Sequence, residues 1–247
     1  MLPVPDKSNA AWAAKAGPIL CYVTDRRSLV PGGDDADTGL LAKIRIAIEA
    51  GVDWVQIREK DLATGRVLAL AREAVSASES HGHGSQSQLV RTKVIVNDRL
   101  DVALAANAAG IHLGRESAPV REVANWCRAG NAPGEFLIGA SCHSLIEARD
   151  AESAGASYVF FGPVFDTPSK RELGLPVGIA QLAEVCATVR IPVLAIGGVD
   201  PRNAQECFSA GAAGIAAIRM FQEANDADEL KSTVASLRVS FGNSTTH

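Results

Sequence analysis

Four stretches of the chain repeat one pattern, in which an Ala-rich helical end meets a glycine and then a short apolar run: IEAGVDWVQI, ANAAGIHLG, ESAGASYVFFG and FSAGAAGIAAI. Gly51, Gly110, Gly155 and Gly211 read as helix ends, because glycine enters left-handed backbone without a Cβ clash. The runs behind them are too short for helices and too continuously apolar for half-exposed strands. They read as buried strands of a parallel sheet covered by helices.

The same criterion finds eight strands: Ile19 to Thr24, Trp54 to Arg58, Val94 to Asn97, Gly110 to Leu113, Phe136 to Ser141, Tyr158 to Gly162, Val193 to Gly197 and Gly214 to Ile218. Helical spacing fills the intervals at Thr38 to Ala50, Ala63 to Ser78, Leu145 to Ala154, Ile179 to Thr188 and Pro201 to Ala210. Eight such units predict an α/β chain folded as a single (β/α)8 TIM barrel, a fold of about 250 residues. A doubly wound open sheet is the alternative. Against it, no G-x-G-x-x-G follows the first strand, and polar, charged or glycine residues stand directly after the runs, where barrels carry their chemistry. The expected organisation is an N-terminal extension over 1–17, the barrel over 18–240 and a frayed tail over 241–247. Ser80 to Gln88 reads as a flexible polar loop, with His81 and His83 solvated and not ligating a metal.

Composition adds exclusions. With 247 residues, 47% of them hydrophobic and 21% charged, and a net charge of −4, nothing points to a nucleic-acid or membrane-surface binder. No apolar run approaches the roughly 20 residues that span a bilayer, and the opening residues lack a signal-peptide core, so the expected location is cytoplasmic. Cys21, Cys127, Cys142, Cys186 and Cys207 are odd in number, far apart and without a C-x-x-C pair; they read as buried free thiols.

Candidate chemistry gathers after the strands. Gln56, Arg58 and Lys60 alternate along an extended segment and can share one side, where two cations suit a phosphate or diphosphate. Asn97 and Asp98 end the third strand; Asp98 is either a Mg2+ ligand or the cap of a helix beginning near Leu100. Ser141 and His143 follow the fifth strand, and His143 is either structural or catalytic. The sixth strand enters a Pro- and Gly-punctuated loop carrying Thr167, Ser169, Lys170 and Arg171, which is either a phosphate-gripping lid or a plain solvated loop. Backbone N–H groups around Gly197, Gly198, Ile218 and Arg219 stand where barrels commonly bind phosphate.

Taken in order, YVTD, VQIREKD, VIVNDRLDVA, GIHLG, IGASCHS, GPVFDTPSK and AIGGV resemble the thiamine phosphate synthase and TenI superfamily over most of the chain. The resemblance implies a Mg2+-dependent transferase of thiamine biosynthesis that joins hydroxymethylpyrimidine diphosphate to a thiazole phosphate and releases diphosphate. It implies that Gln56, Arg58, Lys60 and Asn97 bind the pyrimidine diphosphate, that Asp98 holds Mg2+, and that Ser141 and Lys170 grip diphosphate oxygens. Thr167, with the Gly198 and Ile218 region, would hold the thiazole phosphate, and the same resemblance implies a homodimer. Two positions depart from the synthase pattern. Ser117, in Arg115-Glu116-Ser117, stands where a second metal-binding Asp is usual, and Arg219 stands near the eighth strand end where Ser is usual. These departures leave two rivals: a TenI-type thiazole tautomerase using His143 for proton transfer, and a catalytically silent barrel that binds phosphorylated ligands.

Overall fold

A computed structural model describes residues 17–29, 36–81, 91–167, 175–224 and 226–244. The extension up to residue 16, most of the 80–88 loop with His83, and Ser169, Lys170 and Arg171 lie outside the described residues.

Eight parallel strands close into a barrel in sequence order: β1 (Ile19–Val23), β2 (Trp54–Ile57), β3 (Lys93–Asn97), β4 (Gly110–Leu113), β5 (Leu137–Cys142), β6 (Tyr158–Phe161), β7 (Val193–Ile196) and β8 (Gly214–Ala217). The closing seam pairs Ile19 with Gly214 and Tyr22 with Ala217. Each expected strand is present to within about one residue at either end. The helices between them are α1 (Ala36–Glu49), α2 (Thr64–Ser80), α3 (Leu100–Ala105), α4 (Val120–Trp126), α5 (Leu145–Ala154), α6 (Gly178–Thr188), α7 (Ala204–Ser209), α8 (Arg219–Gln222) and α9 (Ala227–Ser244).

Strand side chains divide between two cores. One set, including Val55, Val94, Val96, Ile111, Ile138, Val159 and Phe161, packs outward against helix residues such as Ile44, Ala71 and Leu182. The other, including Cys21, Trp54, Ile95, Tyr158, Phe160, Leu194 and Ala216, fills the barrel. Both faces of the sheet are therefore dry, which explains why the runs are apolar without alternation. The cysteines are free thiols, four of them buried and Cys127 partly so.

Gly51, Gly155 and Gly211 have φ of 85°, 101° and 92°, the left-handed conformation expected at helix ends. Gly110 does not: Asn107, at φ 53°, makes that turn, and Gly110 opens β4. Glycine is needed at 110 for space, since a Cβ there would lie 2.4 Å from the Leu137 carbonyl oxygen. Helix α7 is shorter than its predicted span because Asp200–Asn203 forms a preceding turn, with the Asp200 N–H donating to Asn203 Oδ1 at 2.8 Å. The expected frayed tail is partly helical. Helix α9 continues to Ser244, and Phe241 is buried edge-on against Phe208, their rings 5.2 Å apart. Among the described residues, no helix is long and apolar enough to cross a membrane.

Candidate active site

The C-terminal ends of β1 to β8 surround a cavity of about 480 Å³. Gln56, Arg58, Lys60, Asn97, Asp98, Ser141, His143 and Ile218 all line it, so eight of the residues singled out in the sequence converge on one space. A second space of about 850 Å³ adjoins it across Lys60, Asn97, Asp98 and His143.

The β2 exit is held by Thr24 at the end of β1. Its Oγ accepts the Arg58 N–H at 2.9 Å and donates to Glu59 Oε1 at 2.6 Å. The Glu59 carboxylate also accepts the Arg26 N–H at 3.2 Å. Glu59 is buried, and that burial raises its pKa above the ordinary carboxylate value, against the opposing pull of the Thr24 and Arg26 hydrogen bonds. Anchored this way, the segment turns Glu59 inward while Arg58 is half-buried and Lys60 exposed, all three on the cavity wall. Glu59 is a site residue that the strand-end pattern does not single out; its signal in the sequence is a carboxylate between two cations on a strand exit.

From β2 a polar chain crosses to β4. Gln56 Nε2 lies 3.4 Å from Asn97 Oδ1, and Asn97 Nδ2 donates to Asp98 Oδ2 at 2.6 Å. The Ser117 hydroxyl donates to Asp98 Oδ1 and accepts the Gly114 N–H at 2.6 Å. Asp98 has φ 61°, a left-handed conformation that Asp tolerates better than most residues. Asp98 is not the cap of α3. Arg99 stands at that position without a side-chain cap bond, and the Asp98 carboxylate is turned to Asn97 and Ser117. Glu116 is exposed and borders only the second space, whereas Ser117 reaches Asp98.

His143 is positioned by the start of α5. Ser144 caps that helix by accepting the Glu147 N–H at 3.2 Å, and Glu147 reaches back to accept the His143 N–H at 2.6 Å. His143 Nδ1 meets the Gly162 carbonyl oxygen. A carbonyl can only accept, so the ring proton sits on Nδ1 and the neutral ring keeps its lone pair on Nε2.

Three expected residues lie elsewhere. Thr167 is buried in the loop after β6, and neither it nor Gly198 borders the two spaces described. Gly197 and Gly198 have φ of 91° and 69° and pack against that loop: a Cβ on Gly197 would lie 2.5 Å from Pro163, and one on Gly198 2.6 Å from the Asp166 carbonyl oxygen. The close approach that glycine permits here is therefore between two loops. Arg219 is exposed at the first turn of α8 and lines neither space; it does not fill the cavity mouth. His112, a buried polar residue on β4 that faces the cavity, went unread because it sits inside an apolar run.

Residues 20–221 match the model of the thiamine monophosphate synthase family. The chain belongs to that family. A Geobacter sulfurreducens protein provisionally named thiamine-phosphate synthase is 41% identical over 205 residues, covering 83% of this chain and 87% of its own length. A thiamine-phosphate synthase from Roseiflexus sp. RS-1 is 37% identical over 202 residues, 82% of this chain and 77% of that one. Among solved structures, a thiamine phosphate pyrophosphorylase from Pyrococcus furiosus superposes with a TM-score of 0.72 at 29% identity, over 91% of this chain and 96% of its own. The family match spans every strand from β1, less its first residue, to β8, and so contains all the cavity residues named above.

Proposed function

We propose that this chain is a thiamine phosphate synthase, joining hydroxymethylpyrimidine diphosphate to a thiazole phosphate and releasing diphosphate. One observation carries the reading: in a barrel of this family, Arg58, Lys60 and Asp98 face one cavity large enough for a small bisubstrate pair, and Ser117 bonds Asp98 from the adjoining space. The C–O bond to diphosphate breaks and the leaving group takes the electron pair. The pyrimidine methylene cation is captured by the thiazole nitrogen, forming the C–N bond. Arg58 and Lys60 stabilise the charge that grows on the departing oxygens, and Gln56 and Asn97 orient the pyrimidine diphosphate. Ser141 donates to a diphosphate oxygen; Lys170 would grip the same group, and Thr167, Gly198 and Ile218 the thiazole phosphate.

A Mg2+ ion fits the donor set. The Asp98 carboxylate and the Ser117 hydroxyl are adjacent hard oxygen donors, and Mg2+ commonly takes one or two carboxylates and leaves the rest of its shell to water and substrate phosphate. Among the described residues, no three His, Cys, Asp or Glu side chains form a ready metal site, so the ion would be held jointly with diphosphate. When bound it neutralises leaving-group charge. A cytoplasmic location and a homodimer belong to the same proposal.

The decisive assay incubates the protein with both substrates and Mg2+ and follows thiamine phosphate by mass spectrometry against an enzyme-free control. Product formed well above the control is expected; no product from folded protein overturns the reading. The tautomerase alternative draws on one observation, the Nε2 lone pair that the Gly162 contact leaves on His143 as a base. It predicts isomerisation of a thiazole carboxylate phosphate in the absence of the pyrimidine substrate.

A further inference from the structure

Beneath the cavity, inside the barrel, three polar side chains stand in file. The Tyr158 phenol oxygen on β6 is 3.1 Å from His112 Nδ1 on β4, and His112 Nε2 is 2.9 Å from Ser141 Oγ on β5. Tyr158 and His112 are buried, whereas Ser141 and His112 border the cavity. Gly139 makes room for the pair. A Cβ there would lie 2.1 Å from Tyr158 Cζ and 2.6 Å from His112 Nδ1. Trp54 packs edge-on against Tyr158 with ring centroids 4.6 Å apart, and Phe160 lies 4.2 Å from the His112 ring centroid. Polar groups buried among aromatic rings are tolerated only when their hydrogen bonds are made.

That requirement sets the direction of each proton. Burial drives the Tyr158 pKa well above its ordinary value, so the phenol keeps its proton and needs an acceptor, and His112 Nδ1 is in place. A neutral imidazole that accepts at Nδ1 carries its own proton on Nε2. Nε2–H then donates to Ser141 Oγ, and the serine's single proton is left for the cavity. In the reverse order Ser141 would give that proton to His112 and present only lone pairs, which repel an anion.

We propose that Tyr158 is a positioning residue that, through His112, aims the Ser141 hydroxyl proton at an anionic oxygen in the cavity. The identity of that anion as diphosphate rests on the synthase reading; the proton order does not.

Two measurements test it. In protein labelled with 15N-histidine, the His112 signal, assigned by its absence in His112→Gln, is expected in the Nε2–H tautomer; the Nδ1–H tautomer overturns the proposal whatever the cavity binds. The second is a double-mutant cycle read by calorimetric binding of magnesium diphosphate. Tyr158→Phe keeps the ring and its packing and is expected to weaken binding about tenfold, the scale of a hydrogen bond to a charged group. In a Ser141→Ala background the same change is expected to add almost nothing. Equal losses in both backgrounds, or no loss in either, refute the relay. Wild-type protein that binds no magnesium diphosphate refutes the synthase reading instead, and the tautomer then decides the relay alone.

Discussion

Asp98 combines two demands at one residue: a left-handed backbone and a carboxylate facing the cavity. A test of the carboxylate should leave the backbone demand met, and Asn tolerates φ near 60° where Ala is strained. Asp98→Asn is therefore expected to lower Mg2+-dependent turnover about a hundredfold, the usual scale for removing one electrostatic contact to a transition state, while the melting temperature stays within a few degrees. Turnover that is unchanged, with the same Mg2+ dependence, would remove Asp98 from the metal site. Ser117 permits the opposite experiment. Its hydroxyl already bonds Asp98, so Ser117→Asp sets a second carboxylate beside the first. Half-saturating Mg2+ should fall, and without the metal the variant should melt below the wild type because two like charges then face each other. A Mg2+ titration that does not move would mean that the second carboxylate points away.

At the scale of elements, the β2 exit depends on a buried carboxyl. Glu59 has its pKa raised by burial from 4.5, so between that value and the folded one the native chain holds a proton that the unfolded chain has released. Stability from this group thus falls as pH rises through that window, and above it a charged carboxylate stays buried at a cost. Glu59→Gln removes the charge and keeps one acceptor for the Thr24 hydroxyl. The melting-temperature difference, variant minus wild type, should grow as pH rises from about 4.5 to neutral. A difference that is flat across that range would show that Glu59 ionises as it does in the unfolded chain. This anchor also marks the limit of sequence reading. Period and residue type brought out Arg58 and Lys60, but the partner that fixes them is Thr24, 34 positions before Arg58. The start of α5 was legible because its signal is local, in Ser144 and Glu147. Helix α9 was not read, although Leu230, Val234, Leu237 and Phe241 carry the helical spacing of its buried face.

For the whole molecule, strand count and order were legible because a parallel barrel writes each strand as a continuous apolar run. Closure depends on facts that no run displays, such as which glycines the seam requires. At the β8–β1 seam a Cβ on Gly214 would lie 2.1 Å from the Ile19 carbonyl oxygen, a backbone atom that cannot rotate away. The clash lies where β1 and β8 begin, the end of the barrel remote from the cavity. The candidate site occupies one mouth of the barrel and the seam clash the other, so Gly214→Ala should separate function from stability. Overpacking of this kind costs about 1–3 kcal/mol, and each kcal/mol lowers the melting temperature of a chain this size by about 2–4 °C. The same substitution at Gly39 on α1, with no atom within 4 Å of the added Cβ, should have the opposite sign and stabilise by about 0.5–1 kcal/mol through helix propensity alone. Thermal melts of the two variants, with KM for the pyrimidine substrate measured well below both transitions, decide the matter. A lowered melting temperature with unchanged KM in Gly214→Ala fits two independent ends. A raised KM would mean that strain at the seam travels the length of β1 and β8 to Ile218 and the cavity wall.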